Sequence, residues 1–289
     1  MTVQSDAADD AAVWRIQPTP PSFLGQLAAL WRHRKLSRVL ARQVLSDRAE
    51  KSLLGVPWMI VQPLMVAGPA VFVLGSVFGL STAPLPLPMF IIAGLAGWTL
   101  FRRGVQMLTK SVSGQRSLVR RIYIPVFLLF GASISPAVVQ FLVLTTLLAP
   151  LAVYYGPIAG IYYVPFGWHL LAVVPATLLI VLAALGFGCF TSILYTMRRD
   201  TLLLLRYVLG VWMMVTPVVY PTEMIPESHR WILYLNPLTS AIELFRWALL
   251  GYGTINVPAF GLAVGVIFLV VLAGGMFFSK LQNRLFDHM

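Results

Sequence analysis

The sequence predicts an all-α integral membrane protein with six transmembrane helices. Of its 289 residues, 58% are apolar and only 11% are charged, and the mean hydropathy is +0.82. Soluble domains are about 45–50% apolar. Six apolar windows are each long enough to cross a hydrocarbon core of about 30 Å. Basic residues collect at the ends of these windows and mainly on one side, which is typical of helices that cross a bilayer.

The six windows follow one another through most of the chain. The third and fourth exceed the length that a bilayer requires, so we expect tilt or kinks there, at Pro136 and Pro175. Together with their connections, the six spans form one transmembrane domain over residues 57–280. The predicted spans are 57–79, 89–110, 126–154, 168–195, 202–220 and 258–279.

The basic residues orient these spans. Of the 21 lysines and arginines, 17 lie before the first span, or in or within a few residues of the connections and tail that follow the second, fourth and sixth spans. The opposite connections contain only Arg230 and Arg246, and Arg102 and Arg103 lie inside the second span. Because the basic side of a membrane protein faces the cytoplasm, both termini are predicted to be cytoplasmic.

Two segments precede the first span. Residues 1–22 begin with "MTVQSDAADDAA", which is acidic and polar, whereas a signal peptide begins with basic residues followed by an apolar stretch. These residues are therefore predicted to form a disordered cytoplasmic tail. Residues 23–53 place leucines at helical spacing with arginines between them, which predicts an amphipathic helix along the cytoplasmic interface. This helix is either a membrane-surface anchor or a docking site for a partner.

The segment 221–250 is too polar and too rich in proline to span the membrane, yet its pieces "WILYL" and "AIELFRWALL" are strongly apolar. We therefore predict two short re-entrant helices that enter the outer leaflet and return, with their irregular backbone buried in protein. Glu243 and Arg246 are three residues apart, so they share a helix face and could neutralise each other.

Missing groups exclude several function classes. All ten acidic residues lie outside the six predicted spans, which argues against a proton- or sodium-coupled carrier. The chain lacks GxSxG and HExxH motifs, a metal-ligating cluster and a disulfide pair, since it has one cysteine. It also lacks the GxxxxGK[ST] loop, so energy from ATP would enter through another subunit. The distribution of positive charge indicates membrane lipids rather than nucleic acid as a partner.

Four segments in order carry a resemblance to a known family: "SLLGVPWMIVQPLM" (52–65), "GLAGWTLF" (94–101), "SLVRRIYIP" (117–125) and "YLNPLTSAIELFRWALLG" (234–251). With these motifs the chain resembles the membrane subunit of ABC-2 type exporters, which move lipid-linked O-antigen, capsule or teichoic acid chains. The resemblance implies a multi-pass protein of the bacterial inner membrane that exports a lipid-linked polysaccharide to the periplasm through a homodimeric channel.

The same resemblance implies the partners. Two copies of this chain would pair with two copies of a separate ATP-binding subunit, which binds ATP and magnesium, while this chain holds no cofactor. The loop 113–124 would be the cytoplasmic coupling helix seated on that subunit. Its basic residues also fit simple anchoring at the positive side of the membrane. The residues expected to couple are Arg116, Arg120, Arg121 and Tyr123.

The resemblance further implies aromatic residues along the channel, where sugars stack on ring faces. For Trp98, channel lining and helix packing are both open interpretations. The segment 221–250 would cap the exit, with Asn236, Glu243 and Arg246 as its polar residues. The channel candidates are Trp58, Trp98, Phe101, Trp212 and Tyr220.

Arg102 and Arg103 are adjacent charges inside the second span. The cytoplasmic edge of the membrane lies roughly 10 Å from Arg102, and a long arginine side chain can extend toward the headgroups there. Neighbours on a helix point about 100° apart, so one guanidinium can reach the headgroups while the other faces the interior of the dimer. An inward arginine would suit the pyrophosphate of a lipid-linked sugar.

Three alternatives remain at the level of sequence, and one of them is a passive scaffold or channel subunit. The same architecture serves ABC-2 type exporters of lipids or small molecules. From another class, the chain could be an integral-membrane glycosyl- or acyltransferase, which would need acid–base or metal groups near one membrane face. The sequence shows no such groups.

Overall fold

The computed structural model describes residues 34–50, 57–114, 126–159, 167–251 and 253–287, and across these ranges the chain contains ten α-helices and no strand. The predicted tail 1–22, the start of the predicted 23–53 helix and most of the loop 113–124 lie outside these ranges. The helices are α1 (Arg34–Glu50), α2 (Trp58–Val71), α3 (Leu87–Gly114), α4 (Val126–Ser133), α5 (Ser135–Ala159), α6 (Val173–Met197), α7 (Thr201–Val215), α8 (Glu227–Tyr234), α9 (Pro237–Leu250) and α10 (Val257–Asp287).

Four helical stretches in the described residues are long and apolar enough to cross a membrane. The first is α2 continued by a π-helical segment, and the second joins α4 to α5 through a turn at Ile134. The third is α6 with the 3₁₀ segment Trp168–Ala172 before it, and the fourth belongs to α10. Their bounds are Trp58–Val77, Leu128–Ile158, Trp168–Met197 and Val257–Leu281.

The other two predicted spans take a different form. Helix α3 has 28 residues, about 42 Å at 1.5 Å per residue, but Arg102, Arg103 and Lys110 lower its hydropathy. Helix α7 is apolar but has only 15 residues, about 22 Å. It ends at Val215 rather than at the predicted residue 220, because Thr216 precedes Pro217 and takes an extended conformation, with φ −90° and ψ 131°.

The core lies between α3 and α6. From Met89 to Phe101 every residue of α3 is buried, so this half of the helix is enclosed on all sides. Two glycines of α6 permit this packing and that of α10. A Cβ on Gly188 would lie 2.6 Å from the Cβ of Leu108 on α3. A Cβ on Gly274 of α10 would lie 2.5 Å from the carbonyl oxygen of Gly186.

Helix α1 lies within the predicted segment 23–53 and packs on α4 and α5. Its buried residue Leu40 belongs to a small apolar cluster with Leu128, Leu129 and Ala132 of α4. Lys35, Arg38 and Arg42 on other faces of α1 are exposed. The helix therefore combines an apolar contact with the bundle and a basic exposed surface, as an amphipathic helix does.

The segment between α7 and α10 folds into two short helices, and its boundaries follow from local chemistry. Asn236 caps the start of α9, since its Oδ1 accepts a hydrogen bond from the amide of Leu238, and Pro237 occupies the first turn. Gly251 ends the helix with a φ of 71°, which a glycine adopts without strain. Residues 81–85, between α2 and α3, lie beside this segment.

Candidate functional site

Four aromatic rings from three helices form a cluster in the core. The ring of Phe101 lies at its centre, with centroid distances of 5.7 Å to Trp98 of α3, 5.9 Å to Phe187 of α6 and 5.2 Å to Trp212 of α7. Trp212 and Phe187 are 5.1 Å apart, edge to face. Such tilted and edge-to-face pairs are the favoured arrangements of aromatic rings. The cluster therefore joins the short helix α7 to the core pair α3 and α6.

The structure thus brings together three of the five predicted channel aromatics. Trp98 and Phe101 are 1% and 0% exposed, so within one chain their rings pack between helices. Trp58, at the start of α2, is 43% exposed, and the hydroxyl of Tyr220 donates to the carbonyl of Met214 at 3.0 Å. Phe187 was missed because it lies in a uniformly apolar segment, where spacing distinguishes no face.

Asn236 links α7 to α9 through three hydrogen bonds. Besides capping α9, its Oδ1 accepts from the indole Nε1 of Trp212 at 3.1 Å, and its Nδ2 donates to the hydroxyl of Thr216 at 2.8 Å. The side chain is 9% exposed, so these bonds form in a largely water-free position. The exit residue predicted from the sequence is therefore connected to the aromatic cluster through Trp212.

Arg102 and Arg103 make different contacts. Nη2 of Arg103 donates to Oε1 of Gln62, which joins α3 to α2. Nε of Arg102 is buried and has no hydrogen-bond acceptor among the described residues. The same holds for the indole Nε1 of Trp98, four residues earlier on the same helix. Four residues correspond to a rotation of only about 40°, so Trp98 and Arg102 lie on one face of α3, about 6 Å apart along its axis.

Arg246 is buried within the segment after α7. Its Nη2 donates to the carbonyl oxygens of Pro217 at 3.1 Å and Val218 at 3.2 Å, and its guanidinium lies 3.7 Å from the ring centroid of Phe90. This is cation–π geometry. Gly94 makes room for the approach, because a Cβ there would collide with the carbonyl of Val218 and lie 2.6 Å from Nη2.

Glu243 lies on α9, outside the four candidate spans, and is bound to a different partner. An oxygen of its carboxyl accepts a hydrogen bond from the hydroxyl of Thr222. No ion pair joins Glu243 directly to Arg246 in the described part of the chain, although their charges interact. Burial raises the pKa of the Glu243 carboxyl, against opposing effects from Thr222 and Arg246. Burial also lowers the pKa of the Arg246 guanidinium.

These groups border a cavity of about 330 Å³ at the end of the bundle that carries the connection between α2 and α3. Its walls come from residues 81–85, Phe90 of α3, residues 221–223, α9 and residues 253–254. The polar side chains in its wall are Ser81, Thr82, Thr222, Glu223, Glu243, Arg246 and Thr254. Asn236 does not border it, so the structure separates the three predicted exit residues into a helix cap and a cavity wall.

The predicted coupling residues Arg116, Arg120, Arg121 and Tyr123 lie outside the described residues. Helix α3 leads to them and is described as far as Gly114.

Comparison with known proteins gives the class of this chain. The model of a family described as ABC-2 type transporter matches residues 35–250, well over half of the chain. The chain therefore belongs to the ABC-2 type transporter family. It is a multi-pass membrane protein, and as a permease it is a transporter domain without catalytic activity of its own. Members of this family pair with ATP-binding subunits.

Three similar proteins share one name, O-antigen export system permease protein RfbA. One from Klebsiella pneumoniae is 27% identical over 253 residues, covering 85% of this chain and 92% of the relative. A second from the same organism is 25% identical over 249 residues with the same coverage. One from Myxococcus xanthus is 23% identical over 219 residues, covering 75% of this chain and 81% of the relative.

Proposed function

We propose that this chain is the transmembrane subunit of an ATP-driven exporter that moves a lipid-linked polysaccharide, such as O-antigen or capsule, from cytoplasm to periplasm. Two copies form the channel, and two copies of a separate ATP-binding subunit drive it. The similarity to permeases named for O-antigen export carries this proposal, because it extends over 85% of this chain and 92% of the relative. The absence of a P-loop from the sequence agrees with a separate ATPase.

The proposed topology has six spans in the inner membrane and both termini in the cytoplasm. Helix α3 is long enough to cross, and its charged half points toward the basic side. Helix α7 reaches the required length only together with the residues that follow it. Helices α8 and α9 are then the two re-entrant helices of the segment 221–250. Asn236 satisfies a backbone amide at the start of α9, and Arg246 satisfies two carbonyls of the irregular stretch that follows α7.

On the cytoplasmic side, α1 is part of the interface helix 23–53, and residues 113–124 are the coupling segment that seats on the ATP-binding subunit. The exposed basic surface of α1 favours contact with anionic headgroups. The residues assigned to coupling are Arg116, Arg120, Arg121 and Tyr123.

Arg102 is the proposed contact for the phosphate of the lipid carrier. Its Nε is buried without an acceptor among the described residues, and the indole N–H of Trp98 on the same face is in the same state. Two donors without acceptors favour an anionic group that supplies oxygens, and a guanidinium matches a phosphate well. Arg103 is assigned instead to the contact between α3 and α2. Trp58 and Tyr220 stay candidates for the channel wall, since both are accessible in the single chain.

The proposal is tested by reconstituting the chain with its ATP-binding subunit in proteoliposomes that contain the lipid-linked glycan. We expect ATP-dependent movement of the glycan across the bilayer, measured by its protection from an added glycosidase. The control replaces the ATP-binding subunit with a variant that binds ATP but does not hydrolyse it. The lipid carrier without glycan and a fluorescent phospholipid serve as competing cargoes.

Two results would overturn the proposal. Movement of the phospholipid or the bare carrier, with the glycan left in place, would identify an exporter of lipids or small molecules. Movement of the glycan by the chain alone, with no ATP-binding subunit present, would exclude an ATP-driven mechanism.

A further inference from the structure

The cavity beside α9 has the properties of a ligand site, and we propose that it binds one uncharged sugar unit of the glycan as the chain leaves the membrane. This inference rests on the proposed function and adds a specific binding position to it. The cavity of about 330 Å³ is at the small end of the range for ligand pockets, which suits a single sugar unit better than a longer chain.

The polar groups of the wall match a sugar because they include both donors and acceptors. The carboxyls of Glu223 and Glu243 accept hydrogen bonds, the guanidinium of Arg246 donates them, and the hydroxyl of Thr254 does either. A sugar hydroxyl is also both donor and acceptor. Leu85 and Pro221 supply apolar wall for the carbon–hydrogen surface of a sugar ring.

The charges of the wall disfavour an ion. Two carboxyls lie in the same wall as one guanidinium. An anion would be repelled by Glu223 and Glu243, and a cation would be repelled by Arg246. The interaction of these charges is visible in the pKa of Glu243, which burial raises first and which nearby Glu223 raises further. An uncharged ligand that hydrogen-bonds to all three groups avoids both repulsions.

Arg246 leaves part of its hydrogen-bonding capacity unused. Its side chain is 5% exposed, and Nη2 is committed to the carbonyls of Pro217 and Val218. Nε is buried and has no acceptor in the part of the chain that the structure describes. A buried donor without an acceptor is costly. Arg246 therefore brings a charged guanidinium to the wall of the cavity, with one N–H that the described residues leave without an acceptor.

The position of the cavity fits a role in exit. Apart from Phe90 near the start of α3, its walls come from the connection between α2 and α3 and from the segment between α7 and α10. Both are predicted to lie on the side opposite to the basic clusters. A bound sugar unit would contact both connections at once and hold the emerging chain at the outer surface.

Thiol labelling tests this site directly. Cys189 is the single cysteine of the chain and is 2% exposed, so an introduced cysteine gives the main signal. Thr254→Cys places the thiol in the wall of the cavity, and Ser228→Cys places it on exposed α8, outside the cavity. The full-length protein, assembled with its ATP-binding subunit in nanodiscs, is treated with a membrane-impermeant maleimide. The probe is the glycan released from its lipid carrier by mild acid.

We expect the released glycan to slow labelling of Thr254→Cys and to leave Ser228→Cys unchanged. Glu223→Gln should weaken this protection about three- to tenfold, because it loses a charge-assisted hydrogen bond to a sugar hydroxyl. Glu227→Gln makes the same change in charge on α8, outside the cavity, and should have no effect.

Several results would overturn the inference. No protection of Thr254→Cys by the glycan would exclude the site, and equal protection of both cysteines would show unspecific coverage. Protection by inorganic phosphate in place of the glycan would identify an anion site. If ATP-dependent export proceeds while Thr254→Cys stays unprotected, the sugar site fails and the proposed function stands. If no glycan is exported under any condition, the proposed function fails.

Discussion

At the scale of single residues, Arg102 and Arg103 show how adjacent arginines take different environments. Neighbours on a helix point about 100° apart, so the two side chains lie on different faces of α3. Arg103 donates to Gln62 of α2, whereas the buried Nε of Arg102 has no acceptor in the described chain. The two arginines therefore differ in their contacts, and the assignment of Arg102 to a phosphate stays a proposal.

This difference predicts the outcome of single substitutions. Arg102→Gln should lower ATP-dependent export in proteoliposomes at least tenfold and leave the apparent unfolding temperature unchanged, because a donor to the lipid phosphate is lost. Arg103→Gln should lower the unfolding temperature through the lost contact with Gln62, with export per folded molecule retained. Equal and mild effects of both substitutions would instead favour two arginines that extend to the headgroups.

Glu243 predicts a dependence of stability on pH. Burial raises the pKa of its carboxyl, so the folded protein keeps a proton that the unfolded chain has lost. The free energy of unfolding therefore falls as pH rises from the ordinary glutamate pKa of about 4.3 through the raised value. Glu243→Gln should flatten this part of the profile and be more stable than the natural protein at neutral pH. Thermal unfolding in detergent between about pH 4 and pH 8 measures both.

The matched control is Glu227→Gln, because the Glu227 side chain is 90% exposed and lies on neighbouring α8. It should leave the profile unchanged. A Glu243→Gln profile that coincides with that of the natural protein would show that Glu243 ionises in its ordinary range.

At the scale of elements, the packing of α10 on α6 depends on backbone contact between two glycines. Gly274→Ala places a Cβ 2.5 Å from the carbonyl oxygen of Gly186, so the helices must separate. We expect a loss of about 1–3 kcal/mol of unfolding free energy, the usual cost of overpacking. Chemical denaturation in mild detergent, followed by circular dichroism, measures it.

Gly265→Ala is the control on the same helix. A Cβ there has no atom within 4 Å, so the substitution should change stability by less than about 1 kcal/mol, with the sign set by helix propensity. A cost at Gly265 equal to that at Gly274 would show that helix propensity, and not close approach of α6, governs both positions.

The short helix α7 shows how local and tertiary effects combine. Its length is set locally, since Thr216 before Pro217 ends it. Its position is set by contacts with other elements. Trp212 packs on Phe101 and Phe187, and Trp212 also donates a hydrogen bond to Asn236 at the start of α9. Large apolar side chains elsewhere on α7 are exposed, including Tyr207, Val211 and Met214. Lipid or a second copy of the chain would cover them in the proposed assembly.

At the scale of the whole molecule, the proposed topology predicts labelling from opposite sides. Ser228 on α8 and Ser46 on α1 are both exposed and both replaceable by cysteine in a chain whose own Cys189 is buried. An impermeant maleimide added to intact spheroplasts should label Ser228→Cys and spare Ser46→Cys, and permeabilisation should expose both. Labelling of Ser46→Cys in intact spheroplasts would reverse the proposed orientation.

Much of the fold was predictable because crossing a bilayer constrains sequence strongly. Long apolar runs identify the four candidate spans, since an unpaired backbone in lipid is too costly for any structure but a helix. The start of α9 could also be predicted from the sequence, because Asn-Pro is a strong local signal for a helix cap and a first turn. The contacts of the candidate site were harder to predict from the sequence. Phe187 has no distinguishing pattern, and the partners of Arg246 are backbone carbonyls of a distant segment.

The sequence by itself determined the class of this protein: helical, membrane-embedded and of the ABC-2 type, because composition, charge asymmetry and ordered motifs depend only on residue type and spacing. Tertiary structure decided which polar groups meet. Arg103 hydrogen-bonds to Gln62, and Glu243 accepts a hydrogen bond from Thr222 rather than forming an ion pair with Arg246. The cavity lies between two separate connections. These outcomes depend on the approach of elements far apart in the chain, which residue spacing along one helix does not encode.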